Sequence, residues 1–89
     1  MVIVKASRPY RAWLDGQAEI AVDVDGPTAL GDLLLRLAQK CPALPALPLD
    51  NPARLRGQVL FYSGGHFLSP GDTITSDTII ELLPPTAGG

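Results

Sequence analysis

The period of the apolar residues changes once in this chain, and that change constrains the fold more than any other feature. Between Gln17 and Asp25, Ala18, Ile20, Val22 and Val24 alternate with Gln17, Glu19, Ala21, Asp23 and Asp25. A period of two describes a strand with one face on a core and one in water. Gly26-Pro27 breaks the pattern. From there Leu30, Leu33, Leu34, Leu37, Ala38 and Cys41 fall at helical spacing, a stripe wide enough to lie on a sheet. Thr28 is predicted as the helix N-cap. Asp32 and Lys40 suit the two ends of the helix dipole, and Pro42 stops the helix.

Strand signals flank this pair. Val2 to Ala6 is rich in β-branched residues, and Asp15-Gly16 closes the 8–16 connector with a turn dipeptide. An opening hairpin is therefore predicted. Val59 to Tyr62, a Ser63-Gly64-Gly65 turn, His66 to Leu68, a Pro70-Gly71 turn and a last strand from Thr78 to Leu83 complete the order. Residues 42–57 carry Pro42, Pro45, Pro48 and Pro52, too many for a helix or a central strand. They read as an ordered loop crossing the sheet, held by Leu44, Leu47 and Leu49. The order β-β-α-β-β-β predicts an α+β roll, a mixed sheet of four to five strands with one helix packed across it. At 89 residues without internal repeats, one domain is expected over 1–83, followed by an extended tail over 84–89.

Charge and cysteine content narrow the function classes. Seven basic against nine acidic residues leave a net charge of −2, which predicts no nucleic-acid partner. Arg8, Arg11, Arg54 and Arg56 occur as local pairs and read as solvated surface. No run approaches the roughly 20 apolar residues that span a bilayer, so no membrane partner is expected, and nothing at the start resembles a secretion signal. A single cysteine, Cys41, excludes an internal disulfide and builds no metal site by itself. A reducing, cytoplasmic setting fits these features.

Catalytic groups are sparse. His66, the only histidine, sits in a short strand beside a glycine turn, and Cys41 ends the buried stripe of the helix. Carboxylates are scattered singly, with no spacing that suggests an acid/base pair. Gly64-Gly65 lacks the helix of a phosphate loop. Tyr10 and Trp13 read as core-edge packing. No enzyme activity is expected of this chain alone, and no bound metal or cofactor.

The end of the sequence asks for a different explanation. Leu82-Leu83-Pro84-Pro85-Thr86-Ala87-Gly88-Gly89 runs from an apolar strand straight into small residues. Terminal segments collect small residues in any case, so composition alone leaves a frayed end and a functional tail both open. The order of elements, together with Asp77 to Gly89, resembles the ubiquitin-like β-grasp sulfur carriers, namely the molybdopterin synthase small subunit and the thiamine-biosynthesis carrier. The molybdopterin carriers typically end in Pro-Pro, a hydrophobic residue and Ala-Gly-Gly. Thr86 stands at the hydrophobic position here, the 70–76 segment is longer than the family's usual tight turn, and the proline-rich 42–57 loop is unusual for the family.

The resemblance implies that a separate adenylating, E1-like enzyme uses ATP-Mg to activate the Gly89 carboxylate. A thiocarboxylate at Gly89 would then donate sulfur, in molybdopterin (molybdenum cofactor) biosynthesis or for thiamine or another metabolite. A larger catalytic subunit of a sulfurtransferase is the further partner implied. Gly88, Ala87, Thr86, Pro85 and Pro84 would thread a partner's channel, over a reach of roughly 20 Å. Side-chain-free Gly88 and Gly89 suit a narrow channel, and Pro84-Pro85 keeps the base of the arm extended. Leu83 and an apolar sheet face with Leu60 or Phe61 are expected to dock the partner, unless the long loop covers that face. Two other readings share these residues: a ubiquitin-like modifier conjugated through Gly89, and a non-catalytic β-grasp interaction module.

Overall fold

The computed structural model describes residues 1–85. In chain order the elements are β1 (Val2–Ala6), a 3-10 helix (Arg8–Leu14), β2 (Glu19–Val22), β3 (Thr28–Ala29) and α1 (Leu30–Lys40). Then follow α2 (Pro52–Gln58), β4 (Leu60–Ser63), β5 (His66–Leu68), β6 (Thr73–Ile74) and β7 (Ile79–Leu83). The main sheet has five strands in the order β2-β1-β7-β4-β5. β1 and β2 pair antiparallel, with Val2 opposite Val22, as the opening hairpin predicts. β7 runs parallel to β1, with Ile3 beside Ile79 and Ala6 beside Leu82. A parallel pair requires the intervening chain to cross the sheet, and α1 makes that crossing on one face.

The core lies between that face and α1. Val2, Val4, Ala6, Val22, Phe61, Ile80 and Leu82 supply the sheet side, while Leu30, Leu33, Leu34, Leu37 and Cys41 supply the helix side. The stripe read from sequence is therefore the buried stripe, apart from half-buried Ala38. The 8–16 connector is shaped by a 3-10 helix that buries Tyr10 and Leu14. Its turn is as expected, with Asp15 (φ 56°) and Gly16 (φ 85°) both left-handed.

Two expectations are corrected. Thr28 does not cap α1: its Oγ1 donates to the Gly26 carbonyl, and Thr28–Ala29 pairs with Thr73–Ile74 in a second, two-stranded ladder. The first helical amides are satisfied by the loop before β6, Leu30 N donating to Asp72 O and Gly31 N to Pro70 O, both at 2.9 Å. The 42–57 segment is a loop only as far as Asn51. Pro52 opens α2 at the first turn, where its missing N–H costs nothing, and Asn51 Oδ1 accepts from Arg54 N at 3.2 Å. That loop does not cover the far sheet face. It lies against α1, where Leu44, Leu47 and Leu49 line an apolar groove with Leu34, Leu35 and Ala38.

The outer edge of β2 is closed by side chains. Ala18 O accepts from Ala6 N, so residues 18, 20 and 22 bond inward and the backbone groups of Glu19, Ala21 and Asp23 point out. Lys40 Nζ donates to Ala21 O at 3.2 Å, and Arg36 Nη1 to Asp23 O at 3.1 Å. Cations from the helix thus occupy carbonyls that would otherwise template a further strand.

Candidate functional site

The candidate site begins where β7 leaves the sheet. On one side β1 ends at Ala6, and Ser7 takes over: its Oγ donates to the Leu82 carbonyl at 2.9 Å and its N–H to the same oxygen at 3.2 Å. On the other side Leu83 is still in register with Leu60 of β4. Pro84 and Pro85 follow, and neither has an N–H to continue a ladder. The strand is held on both flanks up to Leu83 and released there. Thr86, Ala87, Gly88 and Gly89, the residues expected to thread a partner and carry the chemistry, lie outside the described residues.

Two short helices bracket this exit. The 3-10 helix follows Ser7, and α2 leads into β4 through Val59. Tyr10 Oη donates to Gln58 O at 2.6 Å and ties the two together. Burial pushes the Tyr10 hydroxyl pKa up, so the phenol stays protonated as that bond requires.

Among the described residues the sheet face away from α1 is open. Strand register sets Glu19, Lys5, Glu81, Tyr62 and Phe67 in one row across it. Ala21, Ile3 and Ile79 form a second row toward the end where β1 starts, and Leu60 and Leu83 pair at the tail exit. Phe67 is 61% exposed and Ile79 47% exposed. Tyr62 and Phe67 meet edge to face with ring centroids 5.3 Å apart. Of the face residues expected from sequence, Leu60 and Leu83 are placed there. Phe61 is not: its side chain is on the helix side and 2% exposed, because it is in register with buried Leu82. Tyr62, Phe67 and the strap residue Ser7 are not among the residues that the sequence points to. Their roles depend on pairing between distant segments, and Leu60-Phe61-Tyr62, apolar throughout, has no period to say which side each takes.

The remaining reactive groups are not assembled. Cys41 is fully buried, and desolvation, with Asp15 adding to it and Lys40 opposing, raises its thiol pKa. An activated thiolate needs the reverse shift. His66 is exposed at the β4–β5 turn. Among the described residues no group of His, Cys, Asp and Glu could hold a metal ion, and no helix is long and apolar enough to cross a membrane.

A five-stranded mixed sheet with its last strand parallel to its first, crossed on one face by a helix, is the ubiquitin-like β-grasp fold. No family model matches the chain. It is homologous to small archaeal modifier protein 1 of Haloferax volcanii, with 28% identity over 74 residues, covering 83% of this chain and 85% of that protein. A crystal structure of that protein superposes with a TM-score of 0.77 at 26% identity, covering 99% of this chain and 98% of the other. Molybdopterin converting factor subunit 1 of Pyrococcus furiosus shares the fold, with a TM-score of 0.70 at 16% identity over 96% and 97% of the two chains.

Proposed function

We propose that this chain is a sulfur carrier activated at Gly89 and donating its sulfur in molybdopterin biosynthesis. The observation that carries the reading is the exit: β7 is pinned by Ser7 and Leu60 up to Leu83, Pro84-Pro85 stop its ladder there, and the sequence continues as Thr86-Ala87-Gly88-Gly89. Residues 1–83 act as the folded handle and 84–89 as the arm. An adenylating, E1-like enzyme in the cytoplasm binds ATP-Mg, and an oxygen of the Gly89 carboxylate attacks the α-phosphate with loss of pyrophosphate. A terminal carboxylate is ionised at neutral pH and suits this role. A sulfide-level donor then adds to the acyl carbon, AMP leaves, and a thiocarboxylate remains for a larger catalytic subunit to use. The chain supplies no acid, base or metal of its own; its contribution is presentation. The open face, through Leu60, Tyr62, Phe67 and Ile79, docks the enzyme that receives the arm.

The homology to small archaeal modifier protein 1 favours a second reading, in which the Gly89 acyl group of the same adenylate is transferred to a lysine amine of a target protein and AMP leaves. Intact mass separates the two. After incubation with the cognate activating enzyme, ATP and sulfide, the carrier reading expects a gain of one sulfur for one oxygen, absent from a Gly89-deleted chain. A covalent adduct with another protein instead selects the modifier. No change with any activating enzyme of the same cell leaves a β-grasp interaction module.

A further inference from the structure

The basic residues of this chain sort into groups with different employment. Arg36 and Lys40 close the outer edge of β2. Lys5 stands in the open-face row between Glu19 and Glu81. The other four, Arg8 and Arg11 on the 3-10 helix and Arg54 and Arg56 on α2, all belong to the two elements that bracket the tail exit. Arg8 follows the Ser7 strap on Leu82, and Arg56 lines a shallow apolar pocket with Leu60, the partner of Leu83. All four are exposed, and among the described residues none has a carboxylate within ion-pair distance; the one ion pair there joins the Met1 amine to Asp77.

The acidic residues are distributed otherwise. Asp15 and Asp50 flank the two bracketing elements, Glu19 begins β2, and Asp32 and Asp72 lie by the loop whose Ser69 and Pro70 line the Arg56 pocket. Asp23, Asp25 and Asp77 lie at the opposite end, where β1 and β7 start: Asp23 follows Val22, the partner of Val2, and Asp77 N donates to Met1 O. A chain of net charge −2 thus carries most of its arginine where its arm leaves and a run of aspartates at the far end.

We propose that Arg8, Arg11, Arg54 and Arg56 form a cationic collar around the tail exit, which docks on an acidic rim around the channel that admits the tail. The inference rests on the tail-activation reading and names the chemistry of the partner's surface. Arginine suits the role because its fork pairs with carboxylates in two bonds and its guanidinium is weakly hydrated. Rim charges of this kind act on the rate of encounter and on orientation, so the collar aims the Gly-Gly end at the opening before the open face seats.

The test is ATP–pyrophosphate exchange by the cognate activating enzyme with Arg8→Gln/Arg11→Gln, Arg54→Gln/Arg56→Gln and the quadruple variant. Circular dichroism and thermal melts show that each is folded; if the quadruple is not, the two pairs are compared. At low salt the quadruple variant raises KM for the carrier about tenfold or more and leaves kcat within about twofold. Raising salt from about 0.02 M to about 0.5 M raises the wild-type KM steeply and the variant KM little. Asp25→Asn, which removes a charge at the opposite end, follows the wild type. Exchange that proceeds with the same KM and salt slope in the quadruple variant overturns the collar and leaves the activation reading intact. Absence of exchange for the wild type with every activating enzyme of the same cell overturns the activation reading, and the collar with it.

Discussion

The two faces of the sheet are built from the same strands and do opposite work. Along β7, Ile80 and Leu82 point into the core beneath α1, while Ile79, Glu81 and Leu83 point to the open side. Both sets are largely apolar, although only one can be inside a two-layer fold. The buried set keeps company with leucines of α1 and no buried polar or charged side chain among the described residues. The exposed set is interrupted by the Glu19–Lys5–Glu81 row, and among the described residues no element packs on it. Apolar side chains without a covering layer are explained by binding, because folding does not need them where they are. The comparison therefore assigns stability to one face and recognition to the other.

The strongest way to break that assignment is from inside. Leu82→Ala removes a side chain that is 1% exposed at the centre of the core. It is expected to cost about 3 kcal/mol, with a fall in Tm on the order of 15 °C by calorimetry. Ser7→Ala removes the Oγ donor to Leu82 O and keeps the N–H donor. A loss of about 1 kcal/mol in urea unfolding is expected, with faster amide exchange at Leu83 and recovery of both in Ser7→Thr.

Alkaline pH probes the same interior. The Cys41 thiol and Tyr10 hydroxyl both have pKa values raised by burial, so the folded state holds these protons more tightly than the unfolded chain does. Their contribution is complete below the unfolded thiol value of about 9 and is lost as pH climbs through the raised folded values. Urea midpoints are expected to fall above about pH 9, and Cys41→Ser to remove the thiol's share of that fall. The smallest expected change sharpens the comparison from outside: Phe67→Ser and Ile79→Ser shift stability by no more than about 0.5 kcal/mol. A loss as large as that of Leu82→Ala would mean that this face, too, is part of the folding core.

Local periodicity made the two main layers legible in the sequence. The 30–41 stripe is buried, and the 18–24 alternation buries Val22 and packs Ile20 and Val24 against the core while Ala18 is exposed; neither pattern needs a distant partner to be recognised. What escaped was non-local or short. The β3–β6 ladder joins two dipeptides far apart in the chain, and α2 was hidden because Pro52 sits at the one helical turn that tolerates it. The candidate site divides in the same way. Leu83, Pro84 and Pro85 were readable as the end of a strand and its stop signal. Ser7 as a strap follows only from the pairing of β1 with β7, and Tyr62 rather than Phe61 on the open face only from the register of β4 with β7.

The division of labour between the arm and the open face is tested most directly by carrier-dependent ATP–pyrophosphate exchange with the cognate activating enzyme. Two altered chains are compared: one lacking Gly88-Gly89, and one carrying Phe67→Ser with Ile79→Ser. The account predicts that the truncated chain supports no exchange yet competes with the wild type for binding. The face variant is predicted to keep kcat and to raise KM about tenfold. Exchange supported by the truncated chain, or a face variant with unchanged KM, would contradict it.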